Sequence, residues 1–288
     1  MVLCWIGIIH KKCYNSDILY SKVDTIMKYG FIGCGNMGGA IACGLSKSTK
    51  DILLSDRSGK GRTLAAELGI AYGDNFSIAK HCDVIFLGVK PHMMQDMLLP
   101  LRQILAERKP LLVSMAAGLT MQTIETMAGA SLPVIRIMPN TPTAIGKGMI
   151  QYCCNPLVTE EMLSDWLKDM SPCGRLDALE ERLIDAASAL SGCGPAYMCL
   201  FLEGLSDGAV ACGVPRAKAL EYAAAAMAGA AEMVLQTGKH PGQLKDAVCS
   251  PGGSTIAGVR ALEQHGLRAA AMDCVIAAFE KNKELGKA

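Results

Sequence analysis

The apolar positions of this chain fall into two regimes. In the first half, short apolar runs alternate with stretches whose small and apolar residues recur at helical spacing. Tyr29, Phe31 and Ile32 make the first run, and Met37 to Leu45 is the first helical stretch. Asp51–Ser55, Asp83–Val89, Leu111–Ser114 and Val134–Met138 are further strand candidates. The Val-Ile-Phe-Leu run after Asp83 has no polar break, as expected of a parallel strand buried on both faces. Arg62 to Leu68 reads as a short helix closed by Gly69. Repeated strand and helix segments with short connections predict a doubly wound parallel α/β sheet.

From Thr159 the pattern turns helical. Thr159 suits an N-cap, with Glu160 and Glu161 in the first turn facing the positive end of the dipole. Glu181 to Leu190 is helical and stops at Ser191-Gly-Cys-Gly-Pro195. Ala196 to Cys212 is apolar and interrupted by Gly204 and Gly208, so it is expected to be buried against other helices. Pro215 fits the start of the next helix and Gly238 its end. Pro241 to Cys249 is a short helix, Ser250 to Thr255 is a turn opening another, and Leu267 to Leu285 closes the chain. Two domains follow: a sheet-bearing one over 27–180 and an all-helical one over 181–288. A helical half this apolar is expected to bury surface in a second copy, as a homodimer or an assembly of dimers.

Composition narrows the classes. Hydrophobic residues make up 51% of the 288 and charged residues 19%, ample for a core and unlike a disordered chain. A formal charge of +1 gives no electrostatic reason to bind nucleic acid or an anionic membrane. No apolar run approaches the roughly eighteen residues a membrane span needs. The thirteen cysteines are odd in number, contain no C-x-x-C pair and lie at no zinc spacing with the five histidines. Reduced, space-filling thiols in a cytoplasm are the expectation, with no metal. Residues 1–26 look foreign to the rest. Val2 to Ile9 is apolar but lacks the flanks of a signal peptide, and Met27 directly precedes the first strand. The segment reads as an over-long start or a loose leader.

Candidate chemistry begins at Gly33, Gly35 and Gly38, spaced G-x-G-x-x-G between a strand and a helix. In that context the first glycine permits a tight turn and the second lets backbone approach a pyrophosphate. The third lets the helix, with its positive end toward the phosphates, pack closely. Ser55-Asp56-Arg57-Ser58 lies about twenty residues on, where a ribose is read. An acid there suits a free 2′-hydroxyl and an arginine with serines suits a 2′-phosphate; both are present, and a plain surface turn is the other reading. Lys90-Pro91 and Met115-Ala116-Ala117-Gly118 follow strands at the sheet edge where ligands bind in open α/β sheets. Ser250-Pro-Gly-Gly-Ser-Thr255 opens a helix whose N-terminus would attract an anion. Ser254 and Thr255 read equally well as plain N-caps, Glu181 as a solvated first-turn acid and Lys90 as a surface lysine. Cys193 reads as a packing residue, since no base stands by to activate it.

Five stretches in one order carry a resemblance: Phe31-Ile-Gly-Cys-Gly-Asn-Met-Gly38, Asp83-Val-Ile-Phe-Leu-Gly-Val-Lys-Pro-His92, Arg136-Ile-Met-Pro-Asn-Thr-Pro142, Leu190-Ser-Gly-Cys-Gly-Pro-Ala-Tyr197 and His240-Pro-Gly-Gln-Leu-Lys-Asp with Ser250-Pro-Gly-Gly-Ser-Thr. Together they resemble the pyrroline-5-carboxylate reductase family, from about Met27 to Gly286. The resemblance implies a Rossmann-type doubly wound sheet followed by an all-α dimerisation domain interlocked with its twin. It implies reduction of 1-pyrroline-5-carboxylate to proline with NADP as cofactor; of NADPH and NADH, the one the 55–58 turn is expected to favour is NADPH. It places cofactor contacts on Ile32, Gly33, Cys34, Gly35, Asn36, Met37, Ser55, Asp56, Arg57, Ser58, Asn75, Gly88, Val89, Lys90, Pro91, Met115, Ala116 and Ala117. Substrate would lie against Ser250, Gly253, Ser254 and Thr255, with Glu181 also at a substrate position and the Thr255 hydroxyl against the ring nitrogen. Cys193 stands where serine is expected, Ala247 where some members carry a substrate-contacting asparagine, and residues 1–26 have no counterpart. A β-hydroxyacid dehydrogenase, a reductase of another cyclic imine and a non-catalytic nucleotide-binding relative are the competing readings.

Overall fold

The structure, a computed structural model, describes residues 27–285. The expectation about residues 1–26 lies outside the described residues. Six strands come first: β1 (Tyr29–Ile32), β2 (Ile52–Ser55), β3 (Ala71–Tyr72), β4 (Val84–Leu87), β5 (Leu111–Ser114) and β6 (Val134–Met138). Between them run α1 (Asn36–Leu45), α2 (Lys60–Leu68), α3 (Asn75–His81), α4 (Met94–Leu98), α5 (Arg102–Arg108) and α6 (Met121–Ala128). These strands pair in parallel in the order 3-2-1-4-5-6. The order reverses between β1 and β4, which makes the crevice at their carboxyl ends the place for a ligand.

Both faces of the sheet are covered, and alternate residues serve the two faces. Phe31, Leu54, Phe86, Val113 and Ile137 join one apolar cluster with Ile41 and Leu45 of α1. Ile85, Leu87, Leu112 and Val134 join the other, with Ile78 of α3, Leu105 of α5 and Ile124 of α6. The rings of Phe31 and Phe86 stack at 4.4 Å between centroids under the crevice.

The sheet does not end where the apolar runs end. β7 (Gly148–Cys154) adds antiparallel to β6, and β8 (Gly174–Ala178) adds parallel to β7. The helical reading from Thr159 therefore holds for α7 (Glu160–Met170), capped by the Thr159 hydroxyl, and is corrected for β8. β8 is an edge strand in which Arg175, Asp177 and Ala178 are exposed and only Leu176 packs on the core, so its apolar signature is slight.

After Ala178 the chain is helical: α8 (Glu181–Ser191), α9 (Gly194–Ala211), α10 (Arg216–Thr237), α11 (Pro241–Ala247), α12 (Ser254–Gln264) and α13 (Leu267–Leu285). α8 packs on β6 and β7 and receives α13, α9 pairs with α10, and α12 packs principally on α13. The expected burial of Ala196–Cys212 does not occur within one chain. From Gly192 to the end of the described helices only Ser206 and Ala219 are buried. Leu200 is 72% exposed and Met272 61%. A groove of about 760 Å³ lined by Leu200, Leu202 and Leu220 lies open between α9 and α10. So much bare apolar helix marks an association surface. No helix among the described residues is long and apolar enough to cross a membrane.

Candidate active site

The glycine turn sits at the switch point. Gly33 has φ +100°, and a Cβ there would meet the backbone of Gly88 at 2.7 Å. Gly88 in turn leaves no space, since its own Cβ would lie 2.3 Å from the Gly33 carbonyl oxygen. A Cβ on Gly38 would lie 2.2 Å from that same oxygen. Three glycines thus let two strand ends and the start of α1 converge. Gly35 differs. It is the N-cap of α1, it is exposed, and no atom lies within 4 Å of where its Cβ would be. No side chain caps α1, so its first N–H groups open onto the space above Gly35 beside exposed Asn36. This cradle fits a pyrophosphate, with backbone donors and a helix dipole aimed at it.

Cys34 belongs to this turn by its backbone only. Its side chain is buried, and burial first, then the charge of Asp56, pushes the thiol up to about 12. It is protonated and inert at neutral pH.

In the 55–58 turn the acid and the arginine stand in different surroundings. The Asp56 carboxylate accepts from the Gly61 N–H at 3.0 Å, the Ser58 N–H at 3.1 Å and the Ser58 hydroxyl. Burial works against its charge, but these bonds and one from Tyr72 outweigh it and hold the carboxyl below the usual aspartate range. Asp56 is thereby occupied in shaping its own turn. Arg57 is exposed beside it with no ion-pair or hydrogen-bond partner among the described residues. Ser55 donates to Asn75 Oδ1 at 2.7 Å, which ties this turn to the start of α3. The geometry offers a free guanidinium for a 2′-phosphate and no free carboxylate for a 2′-hydroxyl. Arg57→Ala is expected to raise the KM for NADPH about tenfold while leaving that for NADH within twofold, as loss of one charge-assisted pair demands. Equal effects on both cofactors, read from steady-state titrations, would remove Arg57 from that role.

Val89, exposed Lys90 and Pro91 continue from β4, and Met115, Ala116 and Ala117 from β5, so both loops border the crevice. The Ser114 hydroxyl, fully buried, accepts from the Ala116 N–H at 3.4 Å. Ala117 packs with Met138, Cys153 and Ile184, so the loop after β5 leans on α8.

The Ser250–Thr255 turn is built differently from a capped helix start. Gly253 is the N-cap of α12, with Ser254 and Thr255 as the first two helical residues. The reading of Ser254 and Thr255 as N-caps is thus corrected, because the capping position is one residue earlier and has no side chain. No side chain caps α12, and Ser254 and Thr255 are exposed. Gly252 has φ +69°, and the Gly253 N–H donates to the Ser250 carbonyl at 3.0 Å, which closes the turn. The result is a second open helix N-terminus bearing two hydroxyls.

Glu181 is engaged by α6 and β6. Its Oε1 accepts from the Met121 N–H at 2.7 Å and lies 3.7 Å from Arg136 Nη1. Arg136 also donates to Asp185 Oδ1 at 2.6 Å, and its side chain is only 2% exposed. Glu181 therefore braces α8 against β6 and α6. The sequence signal for Arg136 was an arginine inside an otherwise apolar strand, and its role as a brace was missed. Among the described residues no group of His, Cys, Asp or Glu converges to hold a metal.

Comparison with known proteins gives these features a context. A pyrroline-5-carboxylate reductase dimerisation model matches residues 181–285, and a model for NADP oxidoreductase, coenzyme F420-dependent, matches residues 28–118. The pyrroline-5-carboxylate reductase of Escherichia coli (strain K12) is 40% identical over 90% of this chain and 98% of its own. That of Pisum sativum is 40% identical over 89% of this chain and 95% of its own. The crystal structure of Plasmodium falciparum pyrroline carboxylate reductase with NADP bound superimposes with a TM-score of 0.82 at 34% identity, covering 90% of this chain and 98% of that one. The Coxiella burnetii pyrroline-5-carboxylate reductase structure gives a TM-score of 0.81 at 33% identity over the same shares.

Proposed function

The chain belongs to the pyrroline-5-carboxylate reductase family, and from that premise we propose which of its residues perform the reaction and where. It is an NADP(H)-dependent oxidoreductase that reduces 1-pyrroline-5-carboxylate to L-proline, the closing step of proline biosynthesis. The observation that carries our assignment of its parts is that the helix N-termini at two glycine turns, Gly33–Gly38 and Ser250–Thr255, are left without a side-chain cap. Each is a site for an anion, and the reaction brings together two: a dinucleotide phosphate and a carboxylate.

The Gly33–Gly38 turn, with Asn36 and Met37, holds the pyrophosphate. Arg57 and Ser58 take the 2′-phosphate, with Asn75 supporting their turn. The loops 88–91 and 115–117 flank the nicotinamide, which when bound supplies the hydride. The remaining work is proximity and orientation, because a cyclic C=N bond with a protonated nitrogen is already electrophilic. Backbone N–H groups of Ser254 and Thr255 hold the substrate carboxylate, and Ser250 and Gly253 shape the turn around it. The Thr255 hydroxyl hydrogen-bonds the ring nitrogen. Thr255→Ala is expected to cost about tenfold or more in kcat/KM for the imine, the loss of one such bond, while NADPH affinity stays unchanged. Wild-type kcat/KM in this variant would free Thr255 of the role. Purified protein given pyrroline-5-carboxylate with NADPH or NADH, followed by nicotinamide absorbance, tests the function; no oxidation with either would overturn it.

We place the domain boundary at 180/181 and read the assembly as a homodimer or a set of such dimers. Support comes from the match to a dimerisation family and the bare faces of α9, α10 and α13. A cytoplasmic location suits the eleven cysteines of the described residues, all free thiols.

A further inference from the structure

α8 is the main bridge between the sheet and the C-terminal helices, and its far end is fastened by two buried amides. Asn140, just past the carboxyl end of β6, is 8% exposed, and Gln151 on β7 is 5% exposed. Asn140 Nδ2 donates to the Ser191 carbonyl at 3.0 Å, while Asn140 Oδ1 accepts from the Met149 N–H at 3.0 Å. The Ser191 hydroxyl lies 2.9 Å from Gln151 Oε1 and 3.0 Å from the Ala187 carbonyl. The Ser191 carbonyl is one of the last in α8, which have no partner inside the helix. Asn140 satisfies it and fixes the height of the turn that leads into α9. Apolar contacts could hold α8 to the sheet, and Ile184 with Met138 does so. Directional amide bonds add a register that apolar packing leaves loose.

We infer that Asn140 is a positioning residue for the reduction. It touches neither reactant. Acting through Ser191, it sets how α9 and the helices after it leave the sheet that carries loop 115–117, against which α8 leans, and so how cofactor loops and substrate turns meet in the assembly. The inference rests on the assignment of imine reduction to this chain. A misplacement on the order of 1 Å costs up to about a hundredfold in rate, so small slippage of α8 is enough.

Two variants test this. Asn140→Ala removes both bonds. It is expected to lower kcat/KM for pyrroline-5-carboxylate by about tenfold or more, with NADPH dissociation within twofold of wild type. Asn140→Asp keeps the acceptor for Met149 but changes the other group. Protonated, it donates to the Ser191 carbonyl; ionised, it repels it. A buried carboxyl facing a carbonyl titrates above the ordinary aspartate value of about 3.9. No charged side chain lies on β7, on α1 or on the 141–145 turn that follows Asn140; Lys147, between that turn and β7, is exposed, and Arg175 and Asp177 stand on β8 opposite Met149 and Gln151 and are exposed. The acids of α8, Glu181 and Asp185, are engaged by Arg136 at its other end, and Arg182 by Glu180. The activity of Asn140→Asp relative to wild type is therefore expected to rise as pH falls, while the Asn140→Ala ratio stays flat. Melting curves at each pH separate this from unfolding. Wild-type kcat/KM in both variants, or a flat ratio for Asn140→Asp alongside a lowered melting point, would overturn the inference. Absence of imine reduction in the wild type would show instead that the assigned function had failed.

Discussion

Gly35→Ala is expected to fold as the wild type does and to lose at least about tenfold in NADPH affinity, whereas Gly38→Ala is expected to lose stability before any cofactor is added. The two positions lie three residues apart in one motif, but their surroundings oppose each other. Gly35 has φ −67° and ψ −166°, a conformation open to alanine, and nothing within 4 Å of its missing Cβ. A methyl there strains nothing in the chain and intrudes only on what the turn holds. Losing one charge-assisted hydrogen bond to a phosphate, about 1.5–3 kcal/mol, is a factor of ten or more in affinity. At Gly38 the methyl would lie 2.2 Å from the Gly33 carbonyl oxygen, a backbone atom that cannot rotate aside. Gly33 is itself held at φ +100° against Gly88. Overpacking typically costs about 1–3 kcal/mol, and a backbone clash belongs at the upper end. Thermal melts without cofactor and fluorescence titrations with NADPH read the two effects separately. If Gly35→Ala bound NADPH as tightly as the wild type, the pyrophosphate would have to lie elsewhere.

The legible parts of this chain were those whose signal is local. Strands β4 and β5 are continuous apolar runs because both their faces are covered, and such runs need no partner to be recognised. Gly69 and Gly238 mark helix ends because only a residue free to adopt positive φ closes a helix that way. What was not legible depends on residues far along the chain. Arg136 finds Asp185 across 49 positions, and Asn140 finds Ser191 across 51, with no pattern near either to announce it. β8 is a five-residue edge strand whose Gly-Arg-Leu-Asp-Ala alternates but carries a single large apolar residue, Leu176, too little to announce a strand. The role of Ser254 and Thr255 turned on whether the cap fell at 253 or 254, a shift of one residue that side-chain preferences cannot decide. Helical spacing likewise identified α9 and α10 but not what covers them, because no cover lies among the described residues.

Heterodimers joining a Gly35→Ala subunit to a Thr255→Ala subunit are expected to recover about half of wild-type activity at NADPH and imine concentrations below their KM values, as a two-fold assembly with one intact site requires. The expectation follows from where α1 and α12 lie. α1 packs within the sheet-bearing domain, while α12 packs principally on α13. The bare faces of α9, α10 and α13 require a second copy, and that copy brings its own α12. If each site pairs one subunit's glycine turn with the other's substrate turn, the mixed dimer holds one doubly damaged site and one untouched. If both halves come from one chain, each site carries one lesion and activity stays at or below about a tenth, the level expected when one key hydrogen bond is lost. Two affinity tags, one on each subunit, isolate the mixed species, and turnover with NADPH and pyrroline-5-carboxylate reads the result. Recovery to about half would require the subunits to share their sites, and that sharing gives the apolar helices a catalytic reason to associate.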